Sequence, residues 1–173
     1  MPGLGVTAIL VWLTLITSMF MHGGLVHLAG NMLYLYIFGD NIEDRMGHVR
    51  YFFFYLLCGI IALTHVFTTS LFGENHLIPG LGASGAVSGV MGAYLLLFPT
   101  RRVSVLLLIF LIQVPAFIVL GFWRLLQLAY GTGYLGGGKA TGIAYTAHIG
   151  GFLAGLLLVT KFMRQQQVKI RRR

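Results

Sequence analysis

The sequence predicts an all-α fold, a polytopic membrane helix bundle, and three observations carry that prediction. Of the 173 residues, 57% are hydrophobic and 9% charged, whereas soluble domains carry about 25% charged residues. The apolar residues fall in runs of membrane-helix length, broken by short glycine-, proline- or charge-bearing stretches. The basic residues gather beyond the ends of those runs, six of the twelve Lys and Arg lying after Thr160 in KFMRQQQVKIRRR. The length suits one bundle, a single domain over 1–173. A net charge of +8 invites a nucleic-acid partner, but a basic tail behind a membrane helix marks a cytoplasmic flank beside anionic lipid, so nucleic acid is set aside. Cys58, the one cysteine, sits in FFFYLLCGII and is expected as a buried packing thiol, which leaves no disulfide framework or thiolate metal site.

In chain order, residues 3–20, GLGVTAILVWLTLITSMF, either span or lie along the surface by hydropathy alone. They lack the basic n-region and small-residue cleavage site of a signal peptide. Spans are predicted at 24–39, 50–69, 85–98, 103–129 and 143–162. Within the fourth of these, residues 103–113 are expected as an interfacial lead-in, with Pro115 near the first turn of the actual span. Orientation follows from charge. Arg45 and Arg50 lie in one loop, Arg101 and Arg102 in another, and six basic residues follow the last helix. The intervening loops, SLFGENHLIPGLGA and GTGYLGGGKA, hold none and one, so ten of the twelve basic residues fall on one side. The positive-inside rule then puts the C-terminus in the cytoplasm and the GLGASG loop outside.

The run from Ser84 to Phe98 is too short. Its residues span roughly 22 Å as a helix, against a bilayer core of about 30 Å. With Arg101 and Arg102 holding its inner end at the cytoplasmic interface, its outer end falls roughly 8 Å below the outer boundary. Irregular backbone at that depth is tolerated where protein buries it or where it lines a water-filled cavity. Ser84 is therefore expected at the floor of a small wet cavity that opens outward.

Polar groups within spans are costly and suggest function. His27 and Asn31 lie four residues apart on one helical face, in the first turns of a helix entering from outside. His148 lies about five residues into the last helix, which enters from the same side. Ser84, His27, Asn31 and His148 thus share one depth. Gly151 and Gly155 follow His148 on its own face, and the short helix carries Gly85, Ser88, Gly89 and Gly92. Facing small-residue stripes let backbones approach closely, as a Ser–His hydrogen bond requires. Singly, each feature has a blander explanation. A lone membrane histidine, such as His22 or His65, is usually a helix–helix hydrogen-bonding residue, and His48 and His76 read as loop residues. Gly-x-Ser-Gly is common by chance. The four together at one depth favour chemistry. Arg124, the one cation within a span, is expected to snorkel outward or to pair with a polar neighbour as a structural residue.

These motifs resemble those of the rhomboid family of intramembrane serine proteases. HGGLVHLAGNMLYLYIFG is similar to the family's His-x-x-x-Asn helix, and GDNIEDRMG to its Glu-x-Arg loop, here Glu43 and Arg45. GASGAVSGVMGAY is similar to its Gly-x-Ser-Gly motif, and AHIGGFLAG to its Ala-His-x-x-Gly-x-x-x-Gly helix. The likeness runs over about 12–160. It implies that Ser84 is the nucleophile and His148 its base, with His27, Asn31 and the Ser84 N–H holding the oxyanion. No cofactor or metal is implied. No Asp or Glu lies within a span, so the site is a dyad. In some members an aromatic residue four positions after the nucleophile supports the histidine ring; here Ser88 stands there. Register against the family puts VWLTLITSMFMHGG at the outer surface, so that 1–23 is surface segment, 24–162 five spans and 163–173 basic tail. The family's first helix then has no counterpart, as in a fragment or a chain whose start is set downstream. The implied partners are the bilayer and transmembrane protein substrates cut near the outer face after small residues. The implied setting is the inner membrane of a prokaryote.

Rival functions fit less well. A zinc protease needs His-Glu-x-x-His, which is absent, and an aspartyl one needs two in-span aspartates. A transporter would use the short helix as a half-helix site, but no inverted repeat or in-span carboxylate accompanies it. A non-proteolytic rhomboid-like escort of membrane clients is the main competitor, and the presence of both Ser84 and His148 counts against it.

Overall fold

A computed structural model of the chain describes residues 8–72, 82–131 and 145–163. The helices are α1 Ala8–Thr17, α2 Leu25–Met46, α3 His48–Phe72, α4 Ser84–Leu97, α5 Ala116–Gly131 and α6 Tyr145–Phe162. A 3-10 turn, Ser18–Phe20, follows α1, and a hairpin of β1 Arg102–Leu107 and β2 Phe110–Pro115 joins α4 to α5. The 73–81 and 132–144 connections and the tail beyond 163 lie outside the described residues. With them lie Glu74, His76, Lys139 and five of the ten basic residues that set the topology.

The short helix is the centre of the bundle. Every residue from Gly85 to Tyr94 is buried, because α2, α3 and α6 all pack on α4. The helix begins where Gly82 and Ala83 turn the chain, and it ends at Leu97, ahead of Pro99, which cannot continue a helix. At 14 residues it is about 21 Å long.

Helix direction separates the molecule into two ends. One end collects the C-termini of α2, α4 and α6. There the guanidinium carbons of Arg45 and Arg101 lie 5.4 and 5.5 Å from the Phe98 ring centroid. Arg50 Nη1 donates to the Met163 carbonyl at 2.9 Å, satisfying an orphan acceptor just past α6. The other end collects the N-termini of α2, α4 and α6, and with them His27, Ser84 and His148. The segment ahead of α2 turns by 93° across this end instead of prolonging α2. It is pinned by Met19, 1% exposed, which sits where a Cβ on Gly59 would be.

The outer surface is apolar. Leu25, Val26, Tyr36, Phe52, Phe53, Phe122, Leu125 and Leu157 are all exposed, the surface that lipid rather than water would cover. By length and composition alone, α6 is the one helix among the described residues that qualifies as a span. The described apolar parts of α3, α4 and α5 are shorter, and α2 qualifies only together with the bent segment before it.

The sequence expectations need correction in two places. The all-α fold contains one hairpin: residues expected as an interfacial lead-in to the fourth span form β1 and β2, registered Val103↔Val114 to Leu107↔Phe110. Four β-branched residues, Val103, Val105, Ile112 and Val114, favour strand, and Leu108 makes the tight turn at φ 56°. Pro115 closes β2 immediately before α5, beside the first turn as expected. The expected Glu-x-Arg loop is helix. α2 continues through Glu43 and Arg45 to Met46, and the turn into α3 is Gly47 alone, at φ 81°, its N–H donating to the Glu43 carbonyl at 2.6 Å. His48, expected in that loop, opens α3 with Nδ1 2.5 Å from Glu43 Oε1.

Candidate active site

Backbone contact between α4 and α6 builds the site. A Cβ on Gly151 would strike the Gly85 carbonyl, one on Gly155 the Gly89 carbonyl, and one on Gly92 the Phe152 carbonyl. Only glycine fits at these points, so the small-residue stripes are a geometric requirement of this pair. On its other flank α4 meets α3, where a Cβ on Gly89 would collide with Cys58 and one on Gly85 with Ala62. Cys58 is fully buried, as a packing thiol should be.

That contact sets Ser84 and His148 on neighbouring turns. Ser84 is the first residue of α4 and His148 lies in the first turn of α6. The residues beside them, Gly85 and Ala147, face each other across the interface. The Ser84 N–H is thus one of the orphan donors of a helix N-terminus, with the dipole's positive end behind it. Ser88, one turn on and 1% exposed, donates its Oγ to the Ser84 carbonyl at 2.6 Å.

His27 approaches from α2. Its ring lies against Gly82, where a Cβ would stand 2.8 Å from Cε1 and 3.1 Å from Nε2. Gly82 also needs φ +111°, so two independent constraints require glycine there. Its N–H donates to the Ser18 carbonyl at 2.9 Å, tying the turn before Ser84 to the segment ahead of α2. His27 Nδ1 accepts from the Gly23 N–H at 3.4 Å. In the neutral ring that leaves the proton on Nε2, the edge that meets Gly82. Asn31 lies one turn deeper, 6% exposed, its Nδ2 donating to the His27 carbonyl at 3.1 Å, with no partner for its second amide hydrogen among the described residues.

The surroundings of His148 include residues that sequence reasoning missed. Its Nδ1 lies 3.0 Å from Gln127 Oε1 on α5, and this hydrogen bond runs to Gln127 rather than to Ser84. The Trp123 ring, one turn away on α5, is 6.0 Å from the imidazole, and Tyr145 stands edge-on at 6.5 Å. The available signal was Gln127 itself, an in-span amide four residues after Trp123 and so on its face. Arg124, expected to snorkel outward or to pair with a polar neighbour, meets an aromatic ring among the described residues. Its guanidinium carbon lies 5.4 Å from the Phe152 ring centroid, and Nη1 is buried with no hydrogen-bond partner among the described residues.

The fold defines a helical membrane bundle around a short central helix, with Ser84, His27, Asn31 and His148 in the first turns of α4, α2 and α6 at one end. The Rhomboid domain model matches residues 10–165, and the chain belongs to that family. It is 29% identical over 160 residues to RHOMBOID-like protein 6, mitochondrial, of Arabidopsis thaliana, covering 88% of this chain and 44% of that one. It is 31% identical over 147 residues to Rhomboid protein 1, mitochondrial, of Saccharomyces cerevisiae, covering 84% and 40%. Rhomboid protease GluP of Bacillus subtilis is 33% identical over 148 residues, covering 85% and 26%. The chain thus spans less than half the length of these relatives. No solved structure matches it.

Proposed function

We propose that the chain is an intramembrane serine endopeptidase acting through a Ser84–His148 dyad. The observation that carries this is the glycine-to-carbonyl contact of α4 and α6, which keeps the first turns bearing Ser84 and His148 at backbone distance. Membership of a family in which one relative is named a rhomboid protease agrees with it.

His148 takes the proton from Ser84 Oγ as the oxygen attacks the scissile carbonyl, and a tetrahedral oxyanion forms. His27 Nε2–H, the free Asn31 amide hydrogen and the Ser84 N–H donate to that oxygen. Preorganised donors of this kind contribute about 2.7 to 4 kcal/mol each in water-excluded sites. The imidazolium returns its proton to the leaving amine, and water, activated by the same ring, releases the acyl-enzyme. In this scheme α2 to α6 are five spans and the segment before α2 lies on the outer surface. Substrate transmembrane segments are cut near that face, and the C-terminus is cytoplasmic in a prokaryotic inner membrane.

The test is labelling of the detergent-solubilised protein with a fluorophosphonate. The wild type is expected to form the serine adduct and Ser84→Ala to form none. Equal labelling of both, or of neither, removes the dyad and leaves the non-proteolytic escort of membrane clients.

A further inference from the structure

We infer that Gln127 is a positioning residue for His148, fixing from α5 which imidazole nitrogen carries the proton. This rests on the dyad proposed above and adds to it the origin of the ring's orientation. Three observations converge. Ser88, on the helix of the nucleophile, gives its hydroxyl hydrogen to the Ser84 carbonyl, which holds that side chain against its own helix. Among the described residues, the ring atom that finds a polar partner is Nδ1, 3.0 Å from Gln127 Oε1. And the imidazole is flanked by Trp123, one helical turn from Gln127, so α5 supplies both a ring face and a hydrogen-bond acceptor.

The chemistry follows from which atom faces which. An amide oxygen can only accept, so Nδ1 must carry the hydrogen and Nε2 the lone pair. A neutral imidazole protonated on Nδ1 is a base at Nε2 alone. Turned over, the amide would donate to Nδ1, place the ring proton on Nε2 and abolish that base. Once Nε2 has taken the serine proton, the amide oxygen also stabilises the Nδ1–H of the imidazolium. These are two of the tasks a carboxylate performs in a triad, met here by an uncharged side chain. Within a membrane bundle a neutral acceptor avoids the desolvation cost of a carboxylate.

The test uses Gln127→Met, which keeps the side chain's length and removes the acceptor, with Leu125→Ala on the exposed face of α5 as control. Fluorophosphonate labelling rates and thermal midpoints are measured in detergent. 15N spectra of histidine-labelled protein, assigned by subtraction of a His148→Ala spectrum, report the His148 tautomer. In the wild type, Nδ1 is expected in the protonated form. Gln127→Met is expected to label about tenfold to a thousandfold more slowly, short of the roughly 10⁴ lost when a wrong tautomer is locked in place. It should keep its thermal midpoint, and its His148 signal should move toward the Nε2-protonated form. Leu125→Ala should match the wild type. A tautomer that does not respond to Gln127→Met, at an unchanged labelling rate, overturns the positioning role and leaves the dyad standing. So does a wild-type His148 with Nδ1 unprotonated, which is readable even if Gln127→Met does not fold. A wild type that does not label removes both.

Discussion

Replacing Gly151 by alanine tests the geometry from which the rest follows. The added methyl would strike the Gly85 carbonyl oxygen, carbon and Cα. All three are backbone of a helix buried on every side, so no rotamer change relieves the clash. A carbon needs about 3.5 Å from its neighbours, so α6 must step back from α4 by on the order of 1 Å. Overpacking of this kind costs typically about 1–3 kcal/mol. A displacement of about 1 Å between reacting groups costs on the order of 100-fold in rate. Two assays read these effects separately: thermal unfolding in detergent, and the fluorophosphonate labelling rate at a temperature where the variant remains folded. Gly30→Ala and Gly121→Ala are the internal controls. Each sits in a helix with nothing within 4 Å of the new Cβ, so each should be neutral or stabilising by up to about 1 kcal/mol. If Gly151→Ala unfolds and labels as those controls do, α4 and α6 are not held by backbone contact and the site has been built on the wrong interface.

Gly82→Ala combines a left-handed backbone with a methyl 2.8 Å from the His27 ring, and labelling should fall more than stability does. Asn31→Ala should lower turnover of a transmembrane substrate by about tenfold to a thousandfold with KM little changed, as expected of a donor used mainly in the transition state; a change confined to KM would place Asn31 in substrate binding instead. A fluorescent probe at Leu108→Cys in lipid nanodiscs should report an apolar interfacial setting, since the hairpin tip exposes Leu106 to Leu111 on both faces; a water-like signal would count against an interfacial position. A cysteine at Asn75 should be modified from outside the cell, and modification from the cytoplasm alone would invert the topology.

What the sequence made legible was whatever depends on local chemistry and helical spacing. Pro79, Gly80 and Gly82 before Ser84, and Pro99 after Phe98, bracketed α4 almost to the residue. His148, Gly151 and Gly155 at i, i+3 and i+7 gave the face that meets α4, and the contacts fall where that spacing put them. The hairpin was not legible. An unbroken apolar run has no period to read, and its turn is Leu108–Ile109 rather than an Asn-Gly or Asp-Gly signal. The last turns of α2 were misread because charge suggests loop to an eye looking for lipid-facing residues, although Asp40 to Met46 contains neither glycine nor proline. Gln127 was missed because its partner is 21 residues away on another helix. Met19 was missed because the notch that receives it is Gly59, on α3. Pairings of this kind belong to tertiary structure, and no window along the chain contains them.

The two ends of the bundle are held by different forces, and the difference bears on what each end can do. At the end bearing Arg45 and Arg101 the core is aromatic. Phe38 meets Tyr94 at 4.9 Å, Tyr94 meets Phe98 at 5.2 Å, and Phe54 meets Phe162 at 5.6 Å. Such rings fill volume and resist separation. At the end bearing Ser84 the same helices touch through Gly85, Gly89, Gly151 and Gly155, where the contact is backbone on backbone. Backbone contact fixes distance with no rotamers to adjust, and it occupies little space above the interface. A reaction centre for peptide hydrolysis needs both properties together, since the nucleophile and base must be rigid while the volume beside them stays open to substrate and water. The aromatic end holds the helices in register, and the glycine end converts that register into the spacing of Ser84 and His148.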